Sequence, residues 1–173
     1  PAGKQASAVI PLLWRAQEQN DNWVTKPVIE YIAHMLDMAY IRVLEVATFY
    51  TMFQLQPVGK IAHIQVCGTT PCMLRGSEDV LRACKDAGGL KGVGDTSADG
   101  LFTLTEVECL GACVNAPILQ IDDDYYEDLD YESAVKLLEA FKRGERPKPG
   151  SAIGRQASAP AGEQTVLTGR GEG

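Results

Sequence analysis

Four of the five cysteines in this chain fall into two close pairs, Cys67-x4-Cys72 and Cys109-x3-Cys113, far apart in sequence. No other feature limits the fold as strongly. If the four thiols act together, two short loops with a helix and a strand between them must meet in space. Thiol sets of this kind are held by disulfides, by zinc or by an iron–sulfur cluster.

The surroundings of the pairs weigh these outcomes. The N-terminus, Pro1-Ala2-Gly3-Lys4, has no charged segment followed by an apolar one, so no secretory signal is visible. A reducing compartment is then expected, where stable disulfides are uncommon. Zinc sites favour tighter C-x2-C turns; spacers of four and three residues are permitted for zinc but not typical. A [2Fe–2S] cluster needs two thiolates at each iron, so two separated loops can serve one end each. Gly68, Thr69, Thr70 and Pro71 in one loop and Gly111 in the other would bring backbone N–H groups near the sulfurs. Spacing favours the cluster and leaves zinc open. Cys84 shares a helical face with Val80, Leu81 and Ala87 and reads as core. His34 and His63 are the only histidines and do not form a Rieske-type ligand pair, so both read as structural.

Apolar residues make up 45% of the chain, enough for a core, and no apolar run is long enough to span a membrane. A net charge of −7 argues against nucleic acid or an anionic membrane as the main partner. Asp122, Asp123, Asp124, Glu127, Asp128 and Asp130 form an acidic stretch without a Lys or Arg, read as a solvated turn or a docking surface for a basic partner. There is no Gly-rich nucleotide loop and no Ser–His–Asp grouping, so no substrate pocket or catalytic residue is expected on this chain alone.

Residues 1–58 read as an N-terminal helical bundle. Val9, Leu12, Leu13 and Ala16 recur at helical spacing before a stop at Asn20-Asp21. A second helix opens with Thr25 as N-cap and Pro27 in its first turn, and carries Val28, Tyr31, Ile32, Met35 and Leu36. A third carries Val43, Val46, Ala47, Tyr50 and Phe53. Gln56-Pro57-Val58-Gly59 marks a junction. Residues 59–143 then read as an α/β (α+β) domain with a mixed sheet. Its elements are a strand ending at Cys67, a helix capped by Ser77 and closed by Gly88-Gly89, a Gly/Asp-rich turn, strands at 101–107 and 118–121, and a helix at about 131–143 capped by Asp130. Residues 144–173 are rich in Gly and Pro, with no aromatic side chain, and read as a free tail or as an arm that orders on a partner, with Val166-Leu167 as anchor. Removing them is expected to spare the cysteine site.

The chain resembles the NuoE-type iron–sulfur subunits of NADH:quinone oxidoreductase, respiratory complex I. The resemblance rests on Ala47-Thr48-Phe49-Tyr50-Thr51-Met52-Phe53, on His63-Ile64-Gln65-Val66-Cys67 leading to Thr70-Pro71-Cys72-Met73-Leu74-Arg75-Gly76, on Asp99-Gly100-Leu101-Phe102-Thr103-Leu104, and on Glu108-Cys109-Leu110-Gly111-Ala112-Cys113-Val114-Asn115-Ala116-Pro117. It implies a thioredoxin-like [2Fe–2S] ferredoxin domain behind a helical bundle, with Cys67, Cys72, Cys109 and Cys113 as ligands of one [2Fe–2S] cluster. It further implies a partner flavoprotein subunit (NuoF-type) that carries FMN, a [4Fe–4S] cluster and the NADH site. The cluster would take single electrons from the flavin. Other peripheral-arm subunits would be neighbours, with no membrane insertion, at the cytoplasmic face of a bacterial inner membrane or the matrix side of a mitochondrial one. Related chains serve NAD-linked hydrogenases and formate dehydrogenases. A zinc-stabilised thioredoxin-like interaction module is the reading from another class.

Overall fold

The computed structural model describes residues 3–158 and divides the chain into two units, Pro1–Lys60 and Ile61–Gly173. The expected anchor, Val166-Leu167, lies outside the described residues.

In the first unit, a 3-10 turn (Gln5–Ala8) leads into α1 (Val9–Gln19), followed by α2 (Lys26–Met35) and α3 (Tyr40–Phe49). Thr25 caps α2 as expected, its hydroxyl accepting from the Val28 N–H at 3.4 Å. Val9, Leu13, Ile29, Ile32, Ala33, Val43, Ala47 and Phe53 form the core. The buried stripe of α2 is Ile29, Ile32 and Ala33, so Tyr31 and Met35 of the expected stripe face outward. Apolar residues cover more of that helix than its two neighbours can bury. Phe53 lies beyond the end of α3, in a turn held by a buried amide. Gln17 donates to the Met52 carbonyl at 3.0 Å and accepts from the Gln54 N–H at 2.7 Å.

The second unit is a five-stranded mixed sheet in the order β2-β1-β3-β4-β5. Its strands are β1 (Ala62–Cys67), β2 (Phe102–Val107), β3 (Leu119–Ile121), β4 (Asp124–Glu127) and β5 (Gly150–Ser151). β1 runs parallel to β2 and antiparallel to β3; β3 and β4 are antiparallel, and β5 lies parallel to β4. Because side chains alternate along a strand, Ala62, Ile64, Val66, Phe102, Leu104, Leu119, Ile121 and Tyr126 share one face. A short helix, α4 (Thr70–Leu74), follows β1, and the shared face packs under the two longer helices, α5 (Ser77–Gly88) and α6 (Tyr131–Lys142). α6 starts at a capping box in which Asp130 accepts from the Ser133 N–H at 2.8 Å. Cys84 of α5 is fully buried in this core, as its helical spacing implied.

Further features depart from the sequence reading. Gly76, at φ +103, and not Ser77, stands at the N-cap of α5. The acidic stretch contains a strand, β4, with Tyr126 in the core and Glu127 fully buried. The segment after α6 follows the sheet as far as Ser158 and supplies β5. Its ordering comes from hydrogen bonds and an ion pair to side chains of β4 and the turn after it, which its own composition does not reveal.

Candidate metal centre

The strand alternation that places Ile64 and Val66 in the core points Cys67 to the opposite face of the sheet. There Cys67 and Cys72 pack with Ala112, Ala116 and Ile118 in a small separate cluster bordered by Leu110 and Tyr125. Cys72 sits in α4, inside the first cysteine loop, where the sequence reads as plain loop. Cys109 and Cys113 lie in the turn after β2, and Cys113 opens a 3-10 turn, Cys113–Asn115. Cys67 and Cys72 are buried, whereas Cys109 and Cys113 are exposed.

The two loops face each other. The sulfurs of Cys109 and Cys113 are 3.5 Å apart. Cys67 and Cys72 share a hydrogen bond, and Cys113 interacts electrostatically with both. Burial and the neighbouring Cys67 push the Cys72 thiol up to about 12. Cys67 behaves differently. Burial would raise it, but the Thr69 hydroxyl (3.1 Å from its sulfur), the backbone of Leu110 and Thr69, and Cys72 together hold it below the ordinary thiol value. The contribution of Leu110 matters because that residue belongs to the other loop.

Backbone N–H groups surround the sulfurs. Gly111 donates to Cys109 Sγ at 3.4 Å, and Ile118 contributes a backbone hydrogen bond to Cys72. Gly111 adopts φ +82, and no neighbouring atom lies within 4 Å of where a Cβ would stand. Glycine is needed there for the backbone conformation, not for space. Tyr125 of β4 fixes the same loop, its hydroxyl donating to the Leu110 carbonyl at 2.8 Å.

Among the described residues, no three His, Cys, Asp or Glu side chains form a group able to hold a single metal ion. The four thiols stand as two pairs, a donor set that would fit a binuclear cluster with two sulfurs to each iron, with backbone N–H groups nearby to spread negative charge. Cys84 lies in the helix-covered core, where burial pushes its thiol up to about 12. His63 hydrogen-bonds the Thr105 hydroxyl through Nε2 at 2.9 Å.

The matching family model is that of the thioredoxin-like [2Fe-2S] ferredoxins, over residues 1–142. The chain belongs to that family. Among curated relatives of this ferredoxin, an E-type NADH-quinone oxidoreductase subunit of Rhizobium meliloti (strain 1021) is 54% identical over 169 residues. That match covers 96% of this chain but only 61% of the relative, so the chain spans about three fifths of that protein's length. The E-type NADH-quinone oxidoreductase subunit of Rickettsia conorii (strain ATCC VR-613 / Malish 7) is 58% identical over 142 residues, 82% of this chain and 83% of the relative. A crystal structure of NAD+-reducing [NiFe]-hydrogenase in the H2-reduced state gives a TM-score of 0.69 over 80% of this chain and 22% of that chain, at 18% identity. That likeness is one of fold.

Sequence reasoning missed the residues that hold the exposed loop from outside: Tyr125, Glu127, Arg155 and Ser158. None of the four gave a local signal: Tyr125 and Glu127 lie in an acidic stretch that reads as a turn, and Arg155 and Ser158 in a segment with the composition of a linker.

Proposed function

We propose that this chain is the electron-transfer subunit of an NADH:quinone oxidoreductase, in which Cys67, Cys72, Cys109 and Cys113 hold one [2Fe–2S] cluster. The observation that carries this reading is the facing of two thiol pairs across one end of the sheet, with Leu110 of one loop hydrogen-bonding Cys67 of the other. When bound, such a cluster exchanges one electron at a time. The protein supplies the rest. Thr69 and the backbone of Leu110, Gly111 and Ile118 stabilise negative charge on the sulfurs, which favours the reduced form. The cluster of Cys67, Cys72, Ala112, Ala116 and Ile118 keeps water from one pair, while Cys109 and Cys113 form the solvent-facing edge.

In this reading a flavoprotein subunit carrying FMN, a [4Fe–4S] cluster and the NADH site docks over that edge. Other peripheral-arm subunits adjoin it; residues 1–58 provide docking surface, and the cluster domain begins at 59. No helix among the described residues is long and apolar enough to cross a membrane. The assembly would lie at the cytoplasmic face of a bacterial inner membrane, or on the matrix side of a mitochondrial one. The names of relatives 54% and 58% identical favour this assembly over an NAD-linked hydrogenase or formate dehydrogenase.

The test is iron, zinc and acid-labile sulfide analysis of anaerobically purified protein, followed by EPR of the reduced form. Two irons and two sulfides per chain are expected for the cluster. One zinc and no sulfide would sink the proposal. Replacing any one of the four cysteines by Ser should abolish or strongly perturb the reduced-state signal. Co-purification of an FMN-containing partner would identify the assembly.

A further inference from the structure

The exposed cysteine loop is fastened to the segment that follows α6. Glu127, at the end of β4, is 2% exposed, and its carboxylate has two sources of hydrogen bonds. Asn115 Nδ2, in the 3-10 turn opened by Cys113, donates at 2.7 Å, and the Ser158 N–H donates at 3.0 and 3.3 Å. Asn115 Nδ2 also donates to the Gln156 carbonyl at 2.8 Å. A buried carboxylate is costly unless its oxygens are occupied. Withdrawal of Ser158 would leave this one with Asn115 alone.

A second set of contacts runs beside the first. Arg155 pairs through Nε (3.2 Å) and Nη2 with Asp128, whose side chain is 4% exposed, and Nη2 also donates to the Val114 carbonyl at 3.0 Å. Ser151 Oγ donates to Asp128 Oδ2 at 2.6 Å, and Ser158 Oγ donates to the Ala112 carbonyl at 3.4 Å. The Asp128 N–H donates to the Asn115 carbonyl at 2.7 Å. Ala112, Val114 and Asn115 are therefore each held by residues 151–158, and Cys113 lies between them.

We propose that residues 151–158 form a latch that positions the exposed cysteine loop, which makes Arg155, Glu127 and Asn115 positioning residues for the metal centre although none of them supplies a sulfur. This rests on the cluster reading above. It also replaces the expectation that the segment after α6 can be removed without consequence for the cysteine site. The latch acts by population. The loop buries Ala112 and Ala116 but leaves Cys109 and Cys113 exposed, so how firmly Arg155 and Ser158 grip its outer side adds directly to the free energy of opening it. Each opening exposes the iron held by that pair to solvent and chelators.

The test uses the full chain in its metal-loaded form, as native protein and as the variants Arg155→Ala, Arg155→Lys and Arg143→Ala. Arg143 makes an exposed ion pair with Glu145 and serves as the control. Amide hydrogen exchange over residues 110–116, metal release to a chelator, and the midpoint potential are measured. R155A should raise exchange over 110–116 and the metal-release rate by about tenfold, equivalent to about 1.4 kcal/mol on the opening equilibrium. Its midpoint potential should shift, R155K should fall between R155A and native protein, and R143A should match native protein. Unchanged exchange and release in R155A would overturn the latch. So would a rise of the same size across α5 and α6, which would mean general loosening. If the native chain carries zinc and no sulfide, the cluster reading fails, yet exchange over 110–116 still decides the latch.

Discussion

Cys84 offers a sharp test of which cysteines belong to the metal centre, because its burial carries a pH signature. The thiol is 0% exposed in the core beneath α5, and burial raises it from 9.0 to about 12. Replacing Cys84 by Ala removes one buried sulfur, which costs about 1–2 kcal/mol at neutral pH from lost burial and the small cavity left behind. As pH rises past 9, the unfolded chain releases the Cys84 proton while the folded chain keeps it. The unfolded state then binds fewer protons, so the native protein loses stability with pH. The loss approaches about 1.4 kcal/mol per pH unit, or about 2 kcal/mol by pH 10.5. Cys84→Ala escapes this loss. The two proteins should therefore be equally stable somewhere between about pH 9.6 and 10.5, with the variant the more stable above that. Urea unfolding followed by far-UV circular dichroism, at intervals from pH 7.5 to 10.5, measures the difference, and other titrations cancel in it. A stability difference that stays constant across that range would refute the placement of the thiol. The reduced-state EPR signal should be the same in both proteins; its loss in Cys84→Ala would show that the ligand set is wrong.

Two further perturbations probe the site and the sheet. Gly111→Ala meets no atom but must hold a left-handed backbone, a cost of about 1–2 kcal/mol placed on the exposed cysteine loop. The iron-to-protein ratio after dialysis against a chelator should fall relative to native protein; full retention would show that the loop does not need that conformation. His63 is held below its ordinary value by burial, partly offset by Asp122. Its neutral form is therefore favoured in the folded chain, and stability should fall as pH drops through 6.5, where the unfolded chain takes up the proton first. His63→Gln should lack that component, and unfolding midpoints compared between pH 7.5 and 5.5 would show it.

The parts of the molecule that were legible in the sequence are those whose partners lie nearby or on a regular period. β1 is readable because Ile64 and Val66 alternate with His63 and Gln65 before Cys67. α6 is readable because Asp130 stands at its N-cap and Ala134, Leu137, Leu138 and Phe141 repeat on one face. The four cysteines stand out by spacing, and the family resemblance added their role. What was not legible depends on contacts across long stretches of chain. In β4, charge masked a strand whose Glu127 is buried only because Asn115 and Ser158 meet it. The segment from 151 to 158 has the composition of a linker, and its order rests on Arg155 reaching Asp128. Neither signal exists in a local window.

The alternation along β1 has one more consequence. Val66 fills the core under α5 and α6, and the next residue, Cys67, enters the cysteine site on the other face. Packing and chemistry thus share a single reading frame. Inserting or deleting one residue in β1 would turn the thiol into the core and send an aliphatic side chain to the cysteine site, and both faces would fail at once. The core therefore proofreads the aim of the thiol: any version of this strand that packs well also points Cys67 in the right direction.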